Sequence, residues 1–166
     1  MNCSGYETVE SLRPLEGLID IYLPDFKYMS PLLAKKYSRA PDYPAVAKAA
    51  LSEMFRQQPA MQWGSDGMLK KGIIVRHLLL PGHLEDSKRV LAYLHQTYGD
   101  QIYISIMSQF TPLGLEHYPE LNRTVTAEEY DALVDFACRL GIQNAFIQDG
   151  SAASESFIPA FNGEGV

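Results

Sequence analysis

The stretch "GIIVRHLLLPGH", residues 72–83, decides the fold. Its aliphatic run is typical of a buried strand, and Pro81 and Gly82 end that strand in a turn. The run nevertheless carries Arg76 and His77 in its middle, although burial of an unpaired charge is costly. Because successive side chains of a strand point to opposite faces, we expect one of the two to face a helix layer and the other to face the inside of a curved sheet.

Apolar runs of the same kind recur on both sides of this stretch. They predict strands at residues 18–23, 72–80, 101–110 and 144–150. Helices are predicted between and around the strands, at residues 9–15, 30–38, 41–58, 84–99 and 126–141. Ser30 before Pro31 marks one helix start, and Thr126 with Glu129 forms a capping box at another. Residues 59–71 are expected to form a loop. Strands that alternate with helices indicate an α/β fold with a parallel sheet of about four strands and flanking helices.

Composition sets the broad class of the protein. With 46% hydrophobic residues among 166, the chain is expected to bury a core as one domain over residues 1–150, followed by a tail at residues 151–166. The net charge of −6 argues against nucleic acid as a partner, because phosphate binding requires a basic surface. No apolar run approaches the roughly 18 residues of a membrane span, so no membrane contact is expected.

The first residues and the cysteines indicate a compartment. "MNCSGYETVE", residues 1–10, lacks the basic and apolar regions of a signal peptide. Cys3 and Cys138 are the only cysteines, and they are too far apart in sequence to suggest a disulfide framework or a metal knuckle. We therefore predict a cytoplasmic protein with no metal ligand in this chain.

Polar side chains follow the predicted strands where parallel strands place their functional edge. Asp25 and Lys27 lie two residues apart and share a face, so they suit either a zwitterionic ligand or a surface ion pair. Arg76 needs an anion, which either Asp25 or a ligand carboxylate would supply. His77 is expected to be a core histidine. Gln109 suits either a ligand contact or a hydrogen bond within its own loop.

Three motifs resemble one known family. "DIYLPDFKYM" (20–29), "GIIVRHLLLPG" (72–82) and "ISIMSQFTP" (104–112) occur in the order and at the distances seen in radical S-adenosylmethionine (SAM) proteins similar to pyruvate formate-lyase-activating enzyme. The resemblance continues through "NRTVTAEEYDALVDFACRLGIQNAFIQ" (122–148) and covers most of residues 2–148. It implies a partial (β/α) barrel that binds SAM at the carboxyl ends of its strands.

The resemblance also implies roles for individual residues. Asp25 and Lys27 match the family's Asp-x-Lys motif, in which the lysine meets the methionine end or the ribose of SAM. Arg76 matches an arginine inside the barrel near the active site. Gln109 lies where the activating enzyme carries an aromatic-His pair, and no histidine stands there in this chain. The segment "NCSGY", residues 2–6, resembles the loop after the family's third strand.

The departure from the family is large. This chain has no Cys-x3-Cys-x2-Cys motif to hold a [4Fe–4S] cluster, and two distant cysteines cannot replace its three thiolates. The glycine-rich SAM motif is missing too. The resemblance therefore implies the carboxyl-terminal portion of a radical SAM enzyme. The full protein would cleave SAM to a 5′-deoxyadenosyl radical and abstract hydrogen, for example from a glycyl-radical enzyme. This chain alone is expected to be inactive, with no catalytic residue, no cluster and no tightly bound SAM.

Two other functions remain open from the residues alone. One is a small α/β lyase or aldolase that uses Lys27 as a Schiff-base nucleophile. The other is a non-catalytic docking module. A related expectation concerns the sheet, whose edge is predicted at residues 18–23. Such an exposed edge favours self-association, or coverage of the edge or of the open barrel face by the tail segment "SESFIPAF" (154–161).

Overall fold

The computed structural model describes residues 1–112, 114 and 116–147. The predicted tail at residues 151–166 lies outside this range. No helix in the described part of the chain combines the length and the apolar content needed to cross a bilayer.

The strands form one sheet. They are β1 (Asn2–Cys3), β2 (Ile21–Pro24), β3 (Gln62–Trp63), β4 (Leu69–Leu78), β5 (Tyr103–Met107) and β6 (Ala145–Ile147). The order β1-β2-β4-β5-β6 is parallel throughout, and β3 pairs antiparallel with β4. Within the described residues β1 and β6 each have one neighbour, so the sheet is open rather than closed into a barrel. The predicted α/β fold with a parallel sheet is confirmed, with five parallel strands instead of about four.

The helices connect the strands as expected for parallel pairing. They are α1 (Val9–Leu12), α2 (Pro31–Ser38), α3 (Tyr43–Gln57), α4 (Leu84–Tyr98) and α5 (Ala127–Leu140). The Ser30 side chain caps α2, and Thr126 forms the predicted capping box with Glu129 at the start of α5. Gly141, with a φ of +83°, ends α5 in the left-handed conformation. These local signals are confirmed because each depends on hydrogen bonds within one turn.

The sheet edge was predicted in the wrong place. Residues 18–23 do not form the edge, because β1 pairs alongside the end of β2. The Leu23 N–H donates to the Met1 carbonyl at 2.8 Å, and the Asp25 N–H donates to the Cys3 carbonyl at 3.0 Å. β2 itself begins only at Ile21, and Leu18 is left 72% exposed. A two-residue strand has no period of its own, so no local pattern in the sequence predicts β1.

Residues 59–71 are not the predicted loop. β3 and the first residues of β4 form an antiparallel hairpin, in which the Gly64 N–H donates to the Met68 carbonyl at 2.9 Å. The hairpin was missed because the "LKK" start of β4 is polar and β3 is only two residues long.

The two faces of the sheet differ in coverage. Along β4 and the residue that follows it, Ile73, Val75, His77 and Leu79 are at most 1% exposed and face the helices. The alternate residues are partly exposed and lie on what we call the open face; they are Ile74, Arg76, Leu78 and Leu80. The expected division of this strand into a helix-facing and a concave side is confirmed, with His77 on the helix side.

Candidate functional site

A cavity of about 350 Å³ lies on the open face, at the carboxyl ends of the central strands. Its charged side chains come from the loop after β2 and from β4, and its apolar wall comes from β4 and β5. The lining residues are Asp25, Lys27, Tyr28, Arg76, Leu78, Leu80 and Met107. This volume is at the lower end for small-molecule sites, so the cavity suits a small ligand or part of a larger one.

Arg76 is held by two oxygen atoms from neighbouring parts of the sheet edge. Its Nη2 lies 2.6 Å from Asp25 Oδ1 and 2.6 Å from Asn2 Oδ1. The backbone fixes this contact, because Asp25 and Arg76 form a parallel bridge and the Phe26 N–H donates to the Arg76 carbonyl at 2.9 Å. Among the described residues, the buried Arg76 Nε has no acceptor. The guanidinium is therefore fixed in place with hydrogen-bonding capacity left over.

Lys27 stands on the other side of the same carboxylate. Its Nζ is 3.8 Å from Asp25 Oδ2, and its side chain is 44% exposed. At that distance and exposure the ion pair is loose, so Lys27 can turn toward a ligand at little cost. The structure thus brings Asp25, Lys27 and Arg76 together at one cavity, and their role as ligand contacts stays a prediction.

Hydrogen bonds to the Tyr43 hydroxyl hold the loop that carries Asp25 and Lys27. The Lys27 N–H donates to Tyr43 Oη at 3.0 Å, and the carbonyl oxygens of Ser4 and Asp25 lie 3.0 and 3.1 Å from the same hydroxyl. Burial raises the pKa of the Tyr43 hydroxyl, which keeps it protonated and able to donate. Sequence reasoning missed Tyr43, because nothing in its helix pattern distinguishes it from a packing residue.

The backbone of Gly5 lies close to the Asp25 carbonyl group in this loop. Its φ is +76°, and a Cβ at this position would lie 2.0 Å from the Asp25 carbonyl oxygen. Only glycine fits both the conformation and the space. The amino-terminal turn therefore presses directly against the residue that pairs with Arg76.

His77 lies on the opposite side of β4 and does not line the cavity. Its Nδ1 is 2.7 Å from the Phe26 carbonyl oxygen, and since a carbonyl only accepts, Nδ1 carries the proton. Burial lowers the pKa of His77, so the imidazole is neutral in the folded protein. Its Nε2 is buried and has no partner among the described residues. The prediction of a core histidine is confirmed for position, although only one of its nitrogens is satisfied.

Gln109 lies in the segment after β5, two residues beyond Met107. It is not among the side chains that line the cavity. The structure therefore brings three of the four predicted site residues together and leaves Gln109 outside the lining. Sequence reasoning also missed the apolar wall. Met107 belongs to this wall because it is the register partner of Leu78 on the same face, and that pairing is visible only in the structure.

A second polar cluster, formed by Tyr37, His83, Glu120 and Lys36, lies beyond the end of β4. Tyr37 Oη is 2.7 Å from His83 Nε2 and donates to Glu120 Oε1 at 2.8 Å. Lys36 pairs with the same carboxylate, which lowers the pKa of Glu120 to about 2. Burial and the hydrogen bond to Glu120 raise the pKa of Tyr37 to about 12. Through these contacts the cluster holds the segment around Glu120 against α2.

The cysteines do not form a site for a cluster. Cys3 is half-buried, and burial raises its pKa to about 11, so it is a poor thiolate ligand. Cys138 is exposed on α5. In the described ranges no three side chains of histidine, cysteine, aspartate or glutamate are grouped to hold a metal ion. The residues present do not fit a [4Fe–4S] cluster.

Comparison with known proteins gives one similarity to report. No family model matches this chain, and no solved structure matches it. An uncharacterised protein of Methanocaldococcus jannaschii is 26% identical over 140 residues. The match covers 82% of this chain and 36% of the archaeal protein, so this chain spans about a third of the length of the relative.

Proposed function

We propose that this chain is the carboxyl-terminal portion of a radical SAM enzyme similar to pyruvate formate-lyase-activating enzyme, and that its cavity holds part of SAM. The observation that carries the proposal is the meeting of Asp25, Lys27 and Arg76 at one cavity on the carboxyl edge of a parallel sheet. Two of the three sequence motifs supply these residues: the Asp-x-Lys motif, whose Lys27 the resemblance assigns to SAM, and the motif whose Arg76 it assigns to the neighbourhood of the active site. The greater length of the archaeal relative is compatible with a longer parent protein.

The residues of the cavity suit the methionine end of SAM, which carries a carboxylate and an ammonium group. Lys27 Nζ and the partly exposed guanidinium of Arg76 offer positive charge to the carboxylate. Asp25 offers an acceptor to the ammonium group or to a ribose hydroxyl. Leu78, Leu80 and Met107 provide an apolar wall. SAM bound together with a reduced cluster would supply the radical chemistry in the full-length parent, and the residues of this chain would only bind and orient SAM.

Other parts of the site must come from elsewhere in the parent protein. The cluster requires three closely spaced thiolates that this chain lacks. The proposal therefore assigns hydrogen abstraction, from a glycyl-radical enzyme or another substrate, to the full-length parent in the cytoplasm. This chain alone is inactive in that chemistry.

The first test uses the isolated chain. After anaerobic reconstitution with iron and sulfide, it is expected to retain no cluster by iron assay and absorbance. Calorimetry is expected to show weak or undetectable SAM binding, because much of the binding surface is missing. Stoichiometric [4Fe–4S] formation or micromolar SAM affinity in the isolated chain would contradict the proposal.

The second test uses the gene with its upstream reading frame. A Cys-x3-Cys-x2-Cys sequence is expected there, and the longer protein is expected to form 5′-deoxyadenosine from SAM under reducing conditions, detected by mass spectrometry. Arg76→Gln should lower that yield, whereas Arg139→Gln, a control on the far end of α5, should not. Lack of 5′-deoxyadenosine from a protein that holds its cluster would refute the assignment.

One observation favours a second candidate, the lyase or aldolase. Lys27 is exposed at the cavity and only loosely paired, as a Schiff-base lysine needs to be accessible. Borohydride trapping with a small carbonyl substrate, followed by peptide mapping, separates the two functions. A stable adduct on Lys27, absent from Lys27→Arg, would favour the lyase.

A further inference from the structure

Three aromatic rings cross the open face. We call them the aromatic stripe: Trp63, Tyr103 and Phe146. The ring centroids of Trp63 and Tyr103 are 5.6 Å apart, and those of Tyr103 and Phe146 are 4.9 Å apart in a stacked pair. Trp63 is 48% exposed and Phe146 is 46% exposed. A contiguous aromatic surface of this kind is rarely left in water unless it serves as a contact site.

The stripe is separate from the cavity. Tyr103 is the first residue of β5 and registers with Ile74, whereas the cavity uses Leu78 and Met107 four residues further along the same strands. Four strand residues correspond to about 13 Å. Phe146 pairs with Ser105, which pairs with Arg76, so this ring is level with the cavity and is separated from Arg76 by β5, whereas Trp63 and Tyr103 lie further from the cavity.

We propose that residues 157–161 of this chain, "FIPAF", pack on the aromatic stripe. The described residues end at Ile147, directly after Phe146, which is itself part of the stripe. Residues 148–156, "QDGSAASES", contain no large apolar side chain, so "FIPAF" is the first apolar group that follows β6. The proposal does not depend on the function proposed above.

The connecting segment is long enough for this contact. Nine residues span at most about 30 Å when fully extended. The rings of the stripe lie within 4.9 and 5.6 Å of their neighbours, starting from the residue at which the chain leaves. A short, polar linker with a glycine therefore reaches every ring of the stripe without strain.

Tethering favours binding of "FIPAF" to the stripe over binding of a second copy of the chain. A segment tethered through nine residues has an effective concentration that reaches the millimolar range. At micromolar protein concentration, the tethered segment competes better than a second molecule for the same surface. Phe157 and Phe161 also provide rings for stacked or edge-on contacts with the stripe.

The single tryptophan of the chain provides the test. Because Trp63 is the only tryptophan, acrylamide quenching of its fluorescence reports contact at the stripe alone. The full chain is compared with a Phe157→Ser/Phe161→Ser variant and with a control that lacks residues 162–166, "NGEGV". Circular dichroism checks the fold, and sedimentation gives the oligomeric state.

The double variant is expected to raise the quenching constant by about twofold, because a packed segment removes roughly half of the accessible ring surface. The control should match the full chain, and all three proteins should be monomers. Equal quenching constants in all three would overturn the proposal. Protection that grows with protein concentration and accompanies a dimer would also overturn it, in favour of a second copy on the stripe.

Discussion

Arg76 and His77 are neighbours on β4, yet the fold treats them in opposite ways. His77 is 1% exposed, neutral and hydrogen-bonded to a backbone carbonyl. Arg76 pairs with Asp25 beside a cavity that solvent reaches. One residue step on a strand changes the surroundings from a helix-covered core to a polar opening. A polar residue in an apolar run therefore has to be interpreted by the face on which it lies.

The same contrast holds for the leucines at the end of β4 and directly after it. Leu79 is fully buried under the helices, whereas Leu78 lines the cavity and stays partly exposed. The helix-covered face thus provides most of the stability, and the open face provides a surface for contacts. Each prediction below compares a residue of one face with a residue of the other.

The largest effect is expected for Leu79→Ala. Truncation of a fully buried leucine leaves a cavity, so the free energy of unfolding should fall by about 2–5 kcal/mol. Leu78→Ala is the matched control and should cost less than about half as much, because its side chain is already partly in water. Urea unfolding followed by circular dichroism measures both. Equal losses would mean that another element covers the open face.

The second prediction concerns pH and His77. Its folded-state pKa lies below its ordinary value of 6.5, so the unfolded chain binds the proton first. The contribution of His77 to the free energy of unfolding should therefore be fully present above about pH 6.5. It should decrease as the pH drops below that value, by up to about 1.4 kcal/mol per pH unit. Carboxylates with a lowered pKa, such as Glu129, contribute only as the pH approaches their unfolded value of 4.5.

His77→Gln should lose its share of this slope between about pH 5.5 and 6.5. His83→Gln is the comparison variant, because burial also lowers the pKa of His83. It should remove the contribution of His83 to the pH dependence and leave that of His77 unchanged. A wild-type slope that survives intact in His77→Gln would contradict the neutral, buried state of this imidazole.

The third prediction addresses the ion pair of the open face. A double-mutant cycle with Arg76→Met and Asp25→Asn should give a coupling free energy of about 1 kcal/mol, between the values of exposed and buried pairs. Because solvent reaches this pair, the coupling should shrink as salt is raised to about 1 M. The contribution of the His77 hydrogen bond should not change with salt. A salt-independent coupling would place Arg76 in a closed interior instead.

The smallest effect on stability is expected for Lys27→Met. Its side chain is 44% exposed and 3.8 Å from Asp25, so the free energy of unfolding should change by less than about 0.5 kcal/mol. Under the proposed function, the same variant of a longer parent protein should weaken SAM binding by about tenfold, which corresponds to loss of one charged contact. Lys48→Met, on α3, is the control for removal of a lysine outside the cavity. Unchanged SAM affinity in Lys27→Met would remove this residue from the proposed site.

Local signals explain which parts of the fold could be predicted. A run of aliphatic residues predicts β4, and the capping residues Ser30 and Thr126 predict the first turns of α2 and α5. β1 and β3 could not be predicted in this way, since each has two residues and depends on pairing with a distant segment. Their pairing energy comes from tertiary contact rather than from any pattern in their own sequence.

The candidate site was predictable to a similar degree. Parallel topology brought Asp25 and Arg76 to one edge, as expected from strands that end in polar residues. The Asn2 contact was not predictable, because it needs β1 to lie beside β2. Gln109 follows β5 as expected, but the path of the segment after the strand leaves it outside the cavity lining.

Gly5 has a consequence for how this protein can change over generations. Every missense change at a glycine codon adds a side chain, and here the first added atom would lie 2.0 Å from the Asp25 carbonyl oxygen. Accommodating it would displace the backbone of Asp25 and, with it, the carboxylate that holds Arg76. Position 5 is therefore expected to reject inherited substitutions as strongly as the charged residues themselves, although it lies in a short turn near the start of the chain.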